Sequence, residues 1–175
     1  MNLSTDPLDI LRLHHAWAQG LLLQRCAELS EADLRRRFEI GPGSLHDILV
    51  HILGAARYWH DRVRGLDPVR PALDPAPLGE PQPARSLDEI RAIAAQSDGE
   101  LESLVRDLQQ GTIADVLISR RPPGKRFSSA AAVLHIFTHA VHHRAQALNI
   151  LRRLRPDQPA LELDLPDWQI LCQNP

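Results

Sequence analysis

The sequence predicts an all-α fold, a four-helix bundle, on three observations. Four long segments carry apolar residues at spacings of three and four. Their ends bear residues that cap or stop helices. The stretches between them are rich in proline and glycine or mixed in pattern.

The first helix is expected from Pro7 to Leu29. Asp6 caps it, and Pro7 opens it because its fixed φ and missing N–H suit the first turn. Ile10, Leu13, Trp17 and Leu21 form its apolar stripe. The second helix is expected over residues 44–64, with Ser44 as N-cap and Gly65 as stop. Its stripe is Ile48, Ile52, Ala55, Trp59 and Val63. Leu66–Arg85 holds six prolines, which remove backbone donors, so a long crossover or surface loop is expected there.

The third helix is expected over residues 87–110. Ser86 and Glu89 make a capping box before it, and Gly111 ends it. Ile90, Ala94, Ser97, Leu101, Leu104 and Leu108 give the cleanest stripe in the chain. Thr112–Phe127 is ambiguous: Ile113, Val116 and Ile118 favour extended backbone, Pro122-Pro123-Gly124 favours a turn, and a small hairpin fits both. The fourth helix is expected over residues 129–154, with Pro156 beyond its end. The tail from Asp157 to Pro175 is expected to pack over the bundle as irregular chain. Residues 1–175 read as one domain, in which both up-down order and a crossover through the proline-rich segment are compatible with the helix lengths.

With 43% apolar and 24% charged residues, 175 residues can bury a sizeable core. The formal net charge of −2 provides no basic field for phosphate backbones, so no nucleic-acid partner is expected. Lys125 is the only lysine, and the run Arg35-Arg36-Arg37 reads as a solvated loop face. No apolar run approaches the ~20 residues of a membrane span, so no membrane partner is expected. The opening MNLSTDPLDI lacks a basic segment followed by an apolar one. Cys26 and Cys172 are too few and too far apart for a disulfide framework. A cytoplasmic location is therefore expected, with both thiols as small buried apolar groups.

Four of the nine histidines fall between residues 135 and 143, in HIFTHAVHHRAQ. His135, His139 and His143 recur every four residues and share one helix face. Neighbouring imidazoles at that spacing can converge on one ion. The same face carries Ile136, Ala140, Ala147 and Ile150, so it is expected to point inward. A row of buried imidazoles needs partners, and a metal is one way to supply them. A third ligand could come from His51, beside Ile48 and Ala55 on the second helix. His142 is turned about 100° from His143 and is not expected to ligate.

Three segments resemble the DinB/YfiT-like superfamily of bacterial metal-binding four-helix bundles. HHAWAQGLLLQRCAELS resembles that family's tryptophan-bearing opening helix. GSLHDILVHILGAARYW resembles the segment that supplies the first ligand, and HIFTHAVHHRAQALNILR resembles the second signature. These segments lie in order from Leu11 to Arg153. The resemblance implies that His51, His139 and His143 take the three ligand positions around one divalent ion; imidazole ligands suit zinc, nickel or iron, and the sequence does not select among them. Ala145 departs from the pattern, where a glycine is common, and leaves the ligands unaffected. The resemblance also implies pairing into a homodimer.

Residues beside the site have two readings each. His135 reads as a hydrogen-bonded histidine under the site or as a group that supports a ligand or touches substrate. Gln146 and Arg144 read as groups that orient a ligand or bind an adjacent helix. Asp47 could accept a hydrogen bond from a ligand histidine, but its place three residues after Ser44 favours a helix-start role. His14, His15, His46 and His60 have no assigned direction.

Three neutral imidazoles leave the ion's charge uncompensated and coordination positions open, the pattern of a catalytic site. The expected function is a metal-dependent enzyme whose ion activates a thiol or water toward a small electrophilic substrate, of thiol-transferase or hydrolase type. The resemblance implies a low-molecular-weight thiol as one partner. Two other readings stand beside it: a non-enzymatic metal or small-ligand binding protein linked to stress response, and a plain structural bundle with chance histidines.

Overall fold

Asp6 starts the first helix as expected, its carboxylate accepting from the N–H groups of Leu8 and Asp9. The computed structural model describes residues 4–66, 82–120 and 123–173. Helix α1 runs Pro7–Cys26 and stops three residues before the expected end. Ser30 is the reason: its hydroxyl caps a new short helix, α2 (Glu31–Arg35), by accepting from Asp33 N–H. A loop over residues 36–44 then leads to α3 (Leu45–Val63), capped by Ser44. Helix α4 (Leu87–Gln109) opens with the complete Ser86–Glu89 capping box. Strands β1 (Val116–Arg120) and β2 (Pro123–Ser128) form the antiparallel hairpin that the ambiguous segment allowed. Helix α5 (Ser129–Leu154) follows at once, and α6 (Leu165–Gln173) closes the described chain.

The four long helices form a ring of contacts in which α1 packs on α4 and α5, and α3 packs on α4 and α5. The consecutive helices α1 and α3 are therefore diagonal, and α2 with the 36–44 loop makes that crossing. Up-down order between neighbours does not hold throughout. Of the proline-rich connection, residues 67–81 lie outside the described residues. Its two ends belong to α3 and α4, which pack on each other. The tail does lie against α1, but it is not irregular throughout. Trp168 is buried and meets His14 edge-on at 5.9 Å, which gives α6 an apolar anchor.

The buried face of α1 also differs from the expected stripe. Ile10, Leu13, Trp17 and Leu21 are only half-buried, while His14, His15, Ala18, Gln19, Leu22, Leu23 and Cys26 are buried. Apolar residues surround this helix on most sides, so periodicity could not select the face. In α4 the expected stripe is the buried one, apart from half-buried Leu108.

The core divides into two apolar clusters. Leu22, Leu45, Ile48, Ile52, Ile90 and Ile150 anchor one. Leu101, Leu104, Val133, Ile136 and Phe137 anchor the other. Polar side chains are buried beside these clusters: His14, His15 and Gln19 on α1, Ser97 on α4, and His143 and Arg144 on α5. Each fully buried leucine or isoleucine stabilises the fold by ~1.5–3 kcal/mol, so two such clusters can hold a polar layer beside them. No helix among the described residues is long and apolar enough to cross a membrane.

Candidate metal centre

The polar layer places His51, from the middle of α3, against two histidines of α5. Ring centroids lie 4.4 Å apart for His51 and His143, 4.3 Å for His139 and His143, and 5.0 Å for His51 and His139. Each ring offers one nitrogen, and the three nitrogens lie within 4.8 Å of one another. On a tetrahedral ion with bonds of ~2.0–2.1 Å such nitrogens sit roughly 3.3 Å apart, inside this bound. The set could hold a metal ion.

The donor chemistry fits. Among the described residues, the buried His51 Nδ1 has no hydrogen-bond partner, a costly state that an ion near the ring would relieve. Burial pushes the His51 imidazole down to about 4, with repulsion from His143 adding to it. Burial likewise takes His139 to about 3, helped by His143, His51, His135 and His142. His143 is lowered by burial, partly opposed by its bond to Gln146. All three are thus neutral near pH 7, the form that ligates.

The histidine row on α5 does not point uniformly inward. His135 is exposed, His139 is half-buried and His143 is buried, while Ile136, Ala140, Ala147 and Ile150 face the core about 100° away. The row therefore lines the α3–α5 groove at the edge of the core. His135 does not lie beneath the site as a hydrogen-bonded support. It stands one turn beyond His139 at the surface, 5.4 Å from that ring and 5.2 Å from Trp59, edge-on. Trp59 in turn meets Phe127 of β2 at 5.8 Å, so aromatic rings border the groove on this side.

Gln146 is hydrogen-bonded to a candidate ligand. His143 Nδ1–H donates to Gln146 Oε1 at 2.8 Å, which leaves Nε2 of His143 with its lone pair. Gln146 Nε2 donates to His142 Nε2 at 3.0 Å. Asp47 does not reach His51. Its carboxylate accepts from Arg37 at 2.9 Å, from His46 Nδ1 at 3.0 Å and from Gln82 N–H at 3.3 Å. At the start of α3 its side chain turns toward the 36–44 loop and the end of the proline-rich segment, a full turn from the triad.

The other histidines serve the fold. His14 bonds the Leu163 carbonyl at 2.7 Å, His46 accepts from Arg85 N–H at 3.2 Å, and His60 donates to Asp61 at 3.0 Å. Arg144 donates to His15 on α1 and does not orient a ligand. The arginine run is not simply solvated: Arg35 pairs with Glu31, and Arg37 with Asp47. Sequence reasoning gives Gly41 no role and places Arg37 only in the solvated run. The signal available was the glycine pair Gly41–Gly43 just before the Ser44 cap, since both adopt positive φ, +49° and +105°.

No curated protein matches the chain. A family model described as the DinB superfamily matches residues 14–147, a span that includes all three clustered histidines. The match covers well over half of the sequence, and the chain belongs to the DinB superfamily.

Proposed function

We propose that the protein binds one divalent metal ion through His51, His139 and His143 and uses it in a reaction on a small electrophilic molecule. The observation that carries this reading is the convergence of three neutral imidazoles from two helices, within 4.8 Å, at the edge of the core. A divalent ion held there supplies Lewis acidity, lowering the pKa of a thiol or water and polarising a carbonyl. The chain's own groups do the rest. Three uncharged ligands leave the full positive charge available to a bound thiol or water. Gln146 holds His143 in one tautomer. Half-buried His139 and exposed His135 keep one side of the set open to a small molecule. Trp59 and Phe127 offer that molecule an apolar edge.

Zinc, nickel and iron all suit imidazole, and cellular supply decides among them. A thiol-transferase or hydrolase activity in the cytoplasm, by a homodimer, is the form we favour. The test is elemental analysis of natively purified protein beside a His139→Ala variant, followed by a panel of thiol-transfer and hydrolysis assays. One metal per chain, lost in the variant, with turnover in the wild type supports the reading. Stoichiometric metal without turnover across the panel favours a binding protein instead. Protein that takes up no zinc, nickel or iron overturns both.

A further inference from the structure

Gly41 lies in the loop between α2 and α3, with φ of +49°. A Cβ built on it would sit 2.6 Å from Gln146 Cδ and closer still to Gln146 Oε1. That oxygen is the one that accepts from His143 Nδ1 at 2.8 Å. The contact is possible only because residue 41 has no side chain.

The loop that carries Gly41 is itself tied down. Phe38 N–H donates to Gly43 O at 2.6 Å, and Gly43 N–H to Ile40 O at 3.0 Å. Arg37 donates to Asp47 at 2.9 Å and to Pro42 O at 3.4 Å. The missing Cβ of Gly43 makes room for that guanidinium, whose Cζ would lie 2.9 Å from it. The Arg37–Asp47 pair thus anchors the loop to α3 one turn before His51. Gly41 at the loop's crest meets Gln146 on α5. The two helices that carry the triad are bridged by one short segment.

We propose that Gly41 is a positioning residue of the metal centre: its bare Cα packs on the Gln146 amide and keeps Oε1 on His143 Nδ1. This rests on the metal-binding reading above. Glutamine has three rotatable side-chain bonds, and an unconfined amide would leave His143 for other rotamers. Confinement by the loop holds the acceptor in place, and the second bond, from Gln146 Nε2 to His142, sets which way the amide faces. His143 then keeps its proton on Nδ1 and presents Nε2 to the ion. A methyl at position 41 would push aside the end of a flexible side chain. An alanine there also strains the backbone at φ +49°, a cost that the combined variant carries too, and His143 loses its partner.

Cobalt(II) titration at pH 7.5, in competition with a chromophoric chelator, tests this. Gly41→Ala and Gln146→Ala are each expected to weaken cobalt binding ~10–100-fold. The combined variant is expected to bind no more weakly than Gln146→Ala alone, because the side chain that the methyl strikes is gone. Gly111→Ala, at φ +67° with nothing within 4 Å of an added Cβ, carries the same kind of backbone strain away from the site and is the control with unchanged affinity. Nitrogen-15 spectra of the metal-free protein read the tautomer directly: Nδ1–H on His143 in the wild type, a mixture in Gly41→Ala. Wild-type cobalt affinity in a folded Gly41→Ala, or losses that multiply in the combined variant, would overturn the proposal. Should Gly41→Ala fail to fold, the combined variant carries the comparison, since it lacks the clash. A wild type that binds no cobalt overturns the proposed function, and the His143 tautomer then decides the Gly41–Gln146 contact by itself.

Discussion

Arg144 Nη1 lies 3.1 Å from His15 Nδ1, a buried guanidinium donating to a buried imidazole. The pair joins α5 to α1 inside the polar layer, one residue past the candidate ligand His143. Burial lowers both groups, and for His15 the guanidinium adds to it, so that His15 is pushed down to about 3 and Arg144 to about 10. His15 is thus an acceptor, and its protonation would place two cations in contact away from water.

A pH dependence of stability follows. In the unfolded chain His15 titrates near 6.5, and in the folded chain near 3. Above pH 6.5 both states are neutral there and the full stability is present. As pH falls below that, the unfolded chain takes up a proton that the folded chain refuses, and stability drops until the folded value is reached. One such group contributes a slope of about 1.4 kcal/mol per pH unit. His51 and His139 act in the same direction. Urea unfolding of chelator-treated protein at pH 7, 6 and 5 should show this fall. His15→Gln, which keeps an acceptor for Arg144, should flatten it by about one proton's worth. An equal slope in the variant would show that His15 is not the group titrating.

Metal should stabilise the fold in proportion to its affinity. An ion that binds only the native state at a hundredfold excess over its Kd adds about 2.7 kcal/mol. Zinc or nickel should therefore raise the melting temperature, and chelator should return it to the metal-free value. His51→Ala, His139→Ala and His143→Ala should each abolish the metal-induced rise. A rise that survives all three substitutions would place the ion elsewhere.

Asp47 should matter for folding more than for ligation by any direct contact. It accepts from Arg37, His46 and the Gln82 backbone. Asp47→Ala removes the acceptor that those donors share and should cost roughly 2–3 kcal/mol. Chemical denaturation measures the cost. Arg37→Ala should reproduce part of it, because Arg37 is the more exposed partner of the pair. A loss below about 0.5 kcal/mol for Asp47→Ala, the level of an ordinary surface change, would contradict the network.

Cys26 should be inert in the native protein. It is fully buried, and burial raises its thiol to about 12, so almost no thiolate is present at pH 8. Alkylation followed by peptide mapping should find Cys26 unmodified until denaturant is added. Rapid native labelling at that position would mean that the α1 end of the core opens readily.

Much of this protein is written locally. The caps at Asp6, Ser44 and Ser86, the stripe of α4 and the breaks at Gly65 and Gly111 are short-range chemistry, and each produced the element it signalled. The fourfold spacing of His135, His139 and His143 likewise put the rings on one side of α5. Ser30 was the local signal that went unread, and it divided the first helix from α2.

What the sequence by itself determined was therefore the helices, their ends and the two segments able to supply ligands, because capping and 3.6-residue periodicity act within a few residues. The tertiary structure alone decided which histidines meet and which serve the fold. His51 reaches His143 because α3 packs on α5, whereas His15, just as polar, faces Arg144 because α1 is diagonal to α3. The support of the site was equally invisible in one dimension. Gly41 and Gln146 are separated by more than a hundred residues, and only packing between a loop and a helix brings them into contact.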